Sequence, residues 1–253
     1  MRLGVLALAL LAAPALADPA PRSGYEFMQP ATQQLQDDDF LNPAFFTVER
    51  GESLWQEDWP GASGENRSCQ SCHGDVSSLA GIAARYPRYD AQNDRIENVE
   101  MRIREEIAMH FQTEPPEFGA DELTALTMLI GLQSRGQPMA VDVPSEAERF
   151  LALGQQIFDT RQGQLNLACK HCHSDHAGEK LRGDTISEGQ INAFPIFRLI
   201  WDEIGTLDRM FTWCMEAVRA EPYAAGSQEY RALELYLAVR GAGLLIETPG
   251  VRR

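Results

Sequence analysis

SCQSCHGD at residues 68–75 and ACKHCHSD at residues 168–175 each contain the pattern Cys-x-x-Cys-His. This pattern attaches a c-type haem, because its two thiols add to the vinyl groups of the porphyrin and its histidine becomes the proximal iron ligand. The predicted attachment cysteines are Cys69, Cys72, Cys169 and Cys172, and the predicted proximal ligands are His73 and His173. We therefore expect two covalently bound haem c groups, each with one iron.

Other roles for a Cys-x-x-Cys pair are a redox dithiol or half of a zinc site. The two copies could formally combine into a zinc site with four cysteines. Both copies carry the trailing histidine, and an amphipathic helix is predicted before each of them. Haem attachment explains these shared features better than zinc does.

The amino terminus is typical of a secretory signal peptide. Residues 1–17, MRLGVLALALLAAPALA, place Arg2 before an apolar run that ends in small residues, which predicts cleavage after Ala17 and export. No other stretch approaches the ~20 apolar residues of a membrane span. The net charge of −15 disfavours binding to nucleic acid or to an anionic membrane surface.

The remaining sequence consists of two similar halves. In each half a glycine, Gly51 or Gly154, precedes an aromatic residue by four positions in the helix before the motif. Residues 113–136 and 220–241 share a Glu-Pro pair, a glycine and a helical apolar period in the same order. We predict a mainly α fold with two tandem cytochrome c-like helical domains that are related by an internal repeat.

The expected boundaries follow from composition. The signal peptide covers 1–17, an irregular polar arm 18–42, the first domain 43–138, and the second domain 139–253. Gly and two Pro residues in Gln133–Pro144 predict a linker. Ser145 and Glu148 are spaced as a capping box at the start of the second domain.

Cys214, in MFTWCMEAV, is the fifth cysteine and the odd one. The haem motifs use the other four thiols, so no disulfide can form within the chain. An odd cysteine in an exported protein indicates intermolecular pairing or a reactive thiol. Its position well downstream of His173 suits a distal ligand of the second haem, whereas His171 and His176 lie too close to His173 to reach the other side. A buried inert thiol is the alternative.

The first haem needs a distal ligand from its own half. The repeat aligns Cys214 with Ile107, which cannot bind iron. His110 is the only downstream histidine of this half, so we predict that it is the ligand, with Met109 and Met101 as weaker candidates.

These motifs resemble the SoxA family, the dihaem cytochrome c subunits of the periplasmic sulfur-oxidation system. The resemblance spans about residues 41–243, and its specific part is CMEAVRAEP at 214–222. It implies a periplasmic L-cysteine S-thiosulfotransferase that pairs with a SoxX-like monohaem cytochrome. The implied reaction joins thiosulfate oxidatively to a cysteine of a SoxYZ-like carrier. Cys214 would ligate iron and carry sulfur as a persulfide.

The sequence departs from the family at two places. Dihaem members have a distal cysteine near Glu106 or Ile107, and this chain has none. They also have an arginine four residues before the reactive cysteine, where this chain has Met210. A dianionic substrate needs positive charge, so either Arg209 substitutes after a small register change or the substrate is handled differently. We predict Arg209 as the catalytic cation, and Arg219 is another nearby arginine.

Two other functions fit the motifs less well. A thiosulfate dehydrogenase would have its cysteine-ligated haem in the first half, whereas the free cysteine lies in the second half. A dihaem electron carrier would have His or Met ligands and no reactive sulfur.

Overall fold

A computed structural model of the chain describes residues 20–61 and 64–253, so the predicted signal peptide lies outside the described residues. The α-helices are α1 Pro30–Asp37, α2 Phe45–Gln56, α3 Cys69–His73, α4 Val99–His110, α5 Asp121–Leu132, α6 Glu148–Asp159, α7 Leu207–Ala217 and α8 Gln228–Arg240. The strands are β1 Trp59–Pro60, β2 Asn66–Arg67, β3 Arg88–Asp90, β4 Arg95–Glu97, β5 Lys180–Leu181, β6 Asp184–Thr185, β7 Ile196–Arg198, β8 Glu203–Gly205 and β9 Gly250–Arg252. The fold is rich in helix, as expected.

The largest core lies around the packed pair α2 and α5. Leu54, Trp55, Leu126 and Leu129 are all buried in it, and Cys69 of the first motif packs against its edge. The helices approach closely at Gly51, where a Cβ atom would lie 2.9 Å from the Cβ of Leu129. This glycine therefore sets the distance between the two helices.

A second core lies around α6 and α8. Its buried residues are Ile157, Phe158, Phe211, Tyr230, Leu233 and Leu237. Gly154 has the same role here as Gly51 has in the first half, since a Cβ atom would lie 2.8 Å from the Cβ of Tyr236. Cys169 of the second motif packs against this core.

A short antiparallel hairpin precedes each of the helices α4 and α7. Strands β3 and β4 pair before α4, and strands β7 and β8 pair before α7, with β9 parallel to β7 on its other side. The Asn98 side chain accepts a hydrogen bond from the backbone at Met101 and caps α4, and the Thr206 side chain caps α7 at Arg209. Strands of two or three residues are hard to predict from sequence, because they depend on their partners rather than on a local pattern.

The amino-terminal arm is more ordered than expected. Residues 18–42 were predicted to be irregular, yet they contain a 3-10 helix at Gly24–Phe27 and the helix α1. Gln36 of α1 accepts a hydrogen bond from the backbone of Val251 at 3.0 Å. The Asn42 amide donates to the Pro249 carbonyl at 2.9 Å. Contact with the carboxyl terminus therefore orders the arm.

The predicted linker is packed rather than loose. Met139 is buried with Ala84 and Ile246, and its backbone pairs with Leu244. The predicted capping box does not form, because Ser145 belongs to a 3-10 turn and its hydroxyl donates to Glu146.

A buried charge network joins α8 to α4 and α7. Arg231 is 0% exposed and forms ion pairs with Asp208 and Glu234. The Asn98 amide donates to Glu234 at 3.1 Å, and Glu100 is buried beside them. Arg231 thus forms ion pairs with two of the three buried carboxylates of this network, and Glu100 forms none within the described residues.

No helix within the described residues is long and apolar enough to cross a membrane.

Candidate functional site

The second motif begins at the edge of the α6–α8 core and continues into a π-helical turn, His171–Asp175. His173 Nδ1 lies 2.8 Å from the Ser187 carbonyl and donates to it. This bond leaves Nε2 free and fixes the ring, which is the usual arrangement of a metal-bound histidine. Burial lowers the pKa of His173, which favours the neutral imidazole that a metal ligand needs.

Gly189 lies against the same imidazole. A Cβ atom at this position would be 2.9 Å from Cγ of His173, and the φ angle of Gly189 is +73°. Only glycine combines this backbone conformation with such a close approach. The chain therefore holds the predicted proximal histidine from two sides.

Cys214 lies on α7, in the same site as the second motif. Phe211, one turn earlier, stacks on Tyr230 of α8 with ring centroids 5.3 Å apart, which fixes the face that α7 presents. The pKa of the Cys214 thiol is raised to about 12, mainly by burial; Cys169 and Cys172 also raise it, whereas Arg198 lowers it. The structure thus brings together the three cysteines that the sequence assigned to this haem.

Arg198 is the cation that acts on Cys214. It ends strand β7, and its guanidinium carbon lies 4.7 Å from the ring centroid of Trp213 and 5.1 Å from that of Trp201. Trp213 is the neighbour of Cys214 on α7. Arg198 is therefore held beside the thiol by aromatic stacking.

The arginines singled out in the sequence have other partners. Arg209 is exposed, forms an ion pair with Glu203, donates to the Ile204 carbonyl at 2.9 Å and stacks on the far ring, Trp201. Arg219 lies 3.4 Å from Gln164. A catalytic role for Arg209 stays a prediction, but the geometry favours Arg198.

The first motif forms α3, capped by the Ser68 hydroxyl. The Trp55 indole donates to the Gly74 carbonyl at 3.0 Å, and its ring lies 5.8 Å from that of His73. His73 and Cys72 are exposed, whereas Cys69 is half-buried. This site is more open than the second one.

Helix α4 supplies the candidates for the other side of the first site. His110 is its last residue, and its half-exposed side chain places Nε2 3.2 Å from a carboxylate oxygen of Glu106. Met109 is exposed and Met101 is buried. Ile107, the position aligned with Cys214, is buried in the first core.

Counting from the helix caps changes this alignment by one residue. Cys214 is eight residues after the cap Thr206, and Glu106 is eight residues after the cap Asn98. Glu106 also raises the pKa of Cys69, after burial and Cys72, much as Cys169 affects Cys214. Glu106, rather than Ile107, thus occupies the place of Cys214.

The residues of both motifs fit a covalent haem. All five cysteines lie in the described part of the chain, and none of them is paired in a disulfide. The hydrogen bond from Nδ1 of His173 to the Ser187 carbonyl leaves Nε2 as the nitrogen that could bind the iron of such a group.

The comparisons with known proteins agree with this fit. Residues 50–139 match the SoxA/TsdA cytochrome c domain. The site and the match together define a c-type cytochrome that carries covalently bound haem.

Individual relatives show which family of c-type cytochromes this chain belongs to. The SoxA subunit of L-cysteine S-thiosulfotransferase from Pseudaminobacter salicylatoxidans is 38% identical over 91% of this chain and 80% of its own length. The corresponding subunit from Paracoccus pantotrophus is also 38% identical, over 91% of this chain and 78% of its own. The crystal structure of SoxXA from P. pantotrophus superposes with a TM-score of 0.87 and covers 92% of this chain and 87% of that one. The chain belongs to the SoxA family of L-cysteine S-thiosulfotransferase subunits.

Sequence reasoning missed Arg198, Ser187 and Gly189. Ser187 acts through its backbone carbonyl, so its residue type carries no signal. Arg198 had one signal, since it stands alone in the apolar run PIFRLIW at 195–201. A charged residue amid such a run is rarely buried unless it has a partner or a function.

Proposed function

We propose that this chain is the catalytic subunit of a periplasmic thiosulfotransferase, in which Cys214 is both the distal ligand of the second haem and the sulfur-bearing residue. The observation that carries the proposal is the placement of Cys214 beside Cys169 and Cys172 in a chain of the SoxA family. Catalytic sulfur chemistry requires a thiolate. Because burial holds the free thiol protonated, the thiolate needs a nearby positive centre.

The reaction that we propose joins the outer sulfur of thiosulfate to the thiol sulfur of a carrier cysteine. A new S–S bond forms, the carrier S–H bond breaks, and one proton and two electrons leave. The haem groups, when bound, supply one-electron acceptors for these electrons. In the first step the outer sulfur of thiosulfate would bond to the persulfide sulfur on Cys214, and the two electrons would leave at this point. In the second step the deprotonated carrier thiol would attack that outer sulfur, which releases the Cys214 persulfide and leaves the whole thiosulfate group on the carrier.

We propose two haem c groups, one in each of two tandem cytochrome c-like domains with the boundaries 43–138 and 139–253. Four features recur in the same order in both halves and support this organisation. They are the helix with a contact glycine, the Cys-x-x-Cys-His motif, the hairpin followed by a capped helix, and the final helix. Cys69 and Cys72 would attach the first haem with His73 as its ligand, and Cys169 and Cys172 the second with His173.

For the first haem we propose His110 as the distal ligand, with Glu106 as its hydrogen-bond partner. Imidazole is a strong haem ligand. His110 is hydrogen-bonded to Glu106, the residue that corresponds in the first half to Cys214. Replacing His110 by Ala should change one low-spin EPR signal and leave the second haem's signal intact. If Glu106→Gln alters that signal and His110→Ala does not, the carboxylate is the ligand instead.

Two protein partners follow from the proposal. The solved relative is titled SoxXA, so we propose a SoxX-like monohaem cytochrome as the stable partner. The named activity of the relatives implies a carrier with a reactive cysteine, such as a SoxYZ-like protein. Export after cleavage at Ala17 would bring the chain to the compartment where these partners work.

Mass spectrometry tests the proposal. Purified holo-protein should carry the extra mass of one sulfur atom on the Cys214 peptide, and with partner and thiosulfate it should add the mass of a thiosulfate adduct to the carrier cysteine. Cys214→Ala should abolish the adduct while both haems stay attached. Formation of tetrathionate instead of the carrier adduct would indicate a thiosulfate dehydrogenase. Electron transfer without sulfur chemistry would indicate an electron carrier.

A further inference from the structure

Arg198 is a charged group beside the second site whose hydrogen-bonding capacity is not fully used. Within residues 20–61 and 64–253 its Nε atom is buried and has no hydrogen-bond partner. The ion pairs found in those residues involve other arginines, including Arg209 with Glu203 and Arg253 with Asp184. A buried donor without a partner costs free energy, so it calls for a ligand.

The backbone and the side chain of Arg198 are both held in place by their neighbours. Strand β7 is the central strand of its sheet, hydrogen-bonded to β8 on one side and β9 on the other, which fixes the backbone at Arg198. Trp201 and Trp213 flank the guanidinium. The two indole rings lie 6.2 Å apart in an edge-to-face arrangement. Stacking of this kind holds the planar cation in place while its nitrogens stay available.

We propose that Arg198 binds the anionic sulfonate end of thiosulfate beside Cys214. The inference rests on the proposed function, and it names the residue that holds the substrate. A guanidinium presents two parallel N–H groups that match two oxygens of an oxyanion, and such bonds are stronger than neutral ones. With the sulfonate on Arg198, the outer sulfur remains free to meet the Cys214 sulfur.

The negative charge that Arg198 meets could have another source, since a haem propionate is also an oxyanion. The two sources predict different effects. A substrate contact changes the affinity for thiosulfate, whereas a propionate contact changes the reduction potential of the second haem and leaves that affinity unchanged.

The test uses the haem-loaded protein with its partner cytochrome and compares Arg198→Met, Arg198→Lys and Arg209→Met. Arg161→Gln, an exposed arginine bonded to the Asn166 carbonyl, controls for the loss of one positive charge. The Michaelis constant for thiosulfate and the turnover number are measured with the carrier. Thiosulfate binding to the oxidised protein without carrier is measured from the change in the haem absorption spectrum.

Arg198→Met should weaken thiosulfate binding and raise the Michaelis constant roughly ten- to hundredfold, the range expected for a lost charge-assisted hydrogen bond. Arg198→Lys should recover part of the loss. The potential of the second haem should stay as in the parent. If Arg198→Met fails to load haem, the proposal is tested by Arg198→Lys, which should weaken thiosulfate binding to a smaller extent.

Unchanged thiosulfate binding in both Arg198 variants would overturn the proposal, and a shifted haem potential would then assign Arg198 to the propionate. A large loss in Arg209→Met with none in Arg198→Met would also overturn it. If the parent protein binds thiosulfate but forms no carrier adduct, the proposed function fails. Comparing thiosulfate binding by the parent and the Arg198 variants still tests whether Arg198 binds the anion.

Discussion

Replacing Glu100 by Gln should stabilise the protein at pH 8 and have little effect at pH 5. Glu100 is 5% exposed, and its Oε1 atom has no hydrogen-bond partner in the part of the chain that the structure describes. Its pKa is raised from 4.5 to about 7, mainly by burial; Glu234 also raises it, whereas Arg231 and Arg104 lower it. Arg231 is paired with Asp208 and Glu234, and Glu100 forms no ion pair within the described residues.

The size of the effect follows from the pKa. At about 1.4 kcal/mol for each pH unit, a rise from 4.5 to about 7 makes the ionised Glu100 cost about 3 kcal/mol in the folded state. Below pH 4.5 both states hold the proton, so the cost is absent. Between pH 4.5 and 7 the unfolded chain loses the proton first, and the stability falls as the pH rises.

Urea denaturation of the haem-loaded protein, followed by far-UV circular dichroism at pH 5, 6, 7 and 8, measures this difference. The gap in unfolding free energy between Glu100→Gln and the parent should grow with pH, up to about 3 kcal/mol. Glu52→Gln, at an exposed position on α2, is the matched control and should give a small gap that does not vary with pH. A constant gap for Glu100→Gln, or destabilisation at pH 8, would refute the reasoning.

Three further substitutions test the packing and the second site. Gly154→Ala should destabilise by roughly 1–3 kcal/mol in urea denaturation, because the new methyl group overlaps the Ala232 carbonyl of α8. Arg231→Met should cost about 3–5 kcal/mol in the same assay, because it leaves buried carboxylates without a cation; a loss below 1 kcal/mol would contradict the network. Gly189→Ala should shift the EPR signal of the second haem by displacing the His173 ring, and an unchanged spectrum would argue against that contact.

The sequence was informative where one residue type in a fixed order implies a chemistry. The spacing of Cys69, Cys72 and His73, and of their counterparts, predicted haem attachment, and the match to a cytochrome c domain supports covalently bound haem. Helical period also predicted the helices α5 and α8, which supply much of the two cores. These features are local, so no knowledge of distant contacts was needed.

The remaining features depend on contacts between distant parts of the chain. The arm at 18–42 folds because Gln36 meets Val251, and no local pattern reveals that pairing. The hairpins before α4 and α7 are too short to show a period. The repeat in the sequence aligned Ile107, rather than Glu106, with Cys214. The helix caps that identify Glu106 as the equivalent residue are visible only in the folded structure.

The choice of the catalytic arginine shows the same limit. Arg209 is closer to Cys214 along the chain, but its guanidinium is engaged by Glu203. Arg198 approaches Cys214 from strand β7, and only the fold reveals this. Distance along the chain is therefore a poor guide to the groups that surround a reactive thiol.

The central claim is that Cys214 is the distal ligand of the second haem. Low-temperature EPR of the oxidised protein, compared with Cys214→Ala at equal haem content, tests it most directly. The account predicts a low-spin signal typical of thiolate ligation in the parent protein and its loss in the variant, with the first haem's signal unchanged. Identical spectra for parent and variant, together with free alkylation of Cys214 in the folded parent, would contradict it.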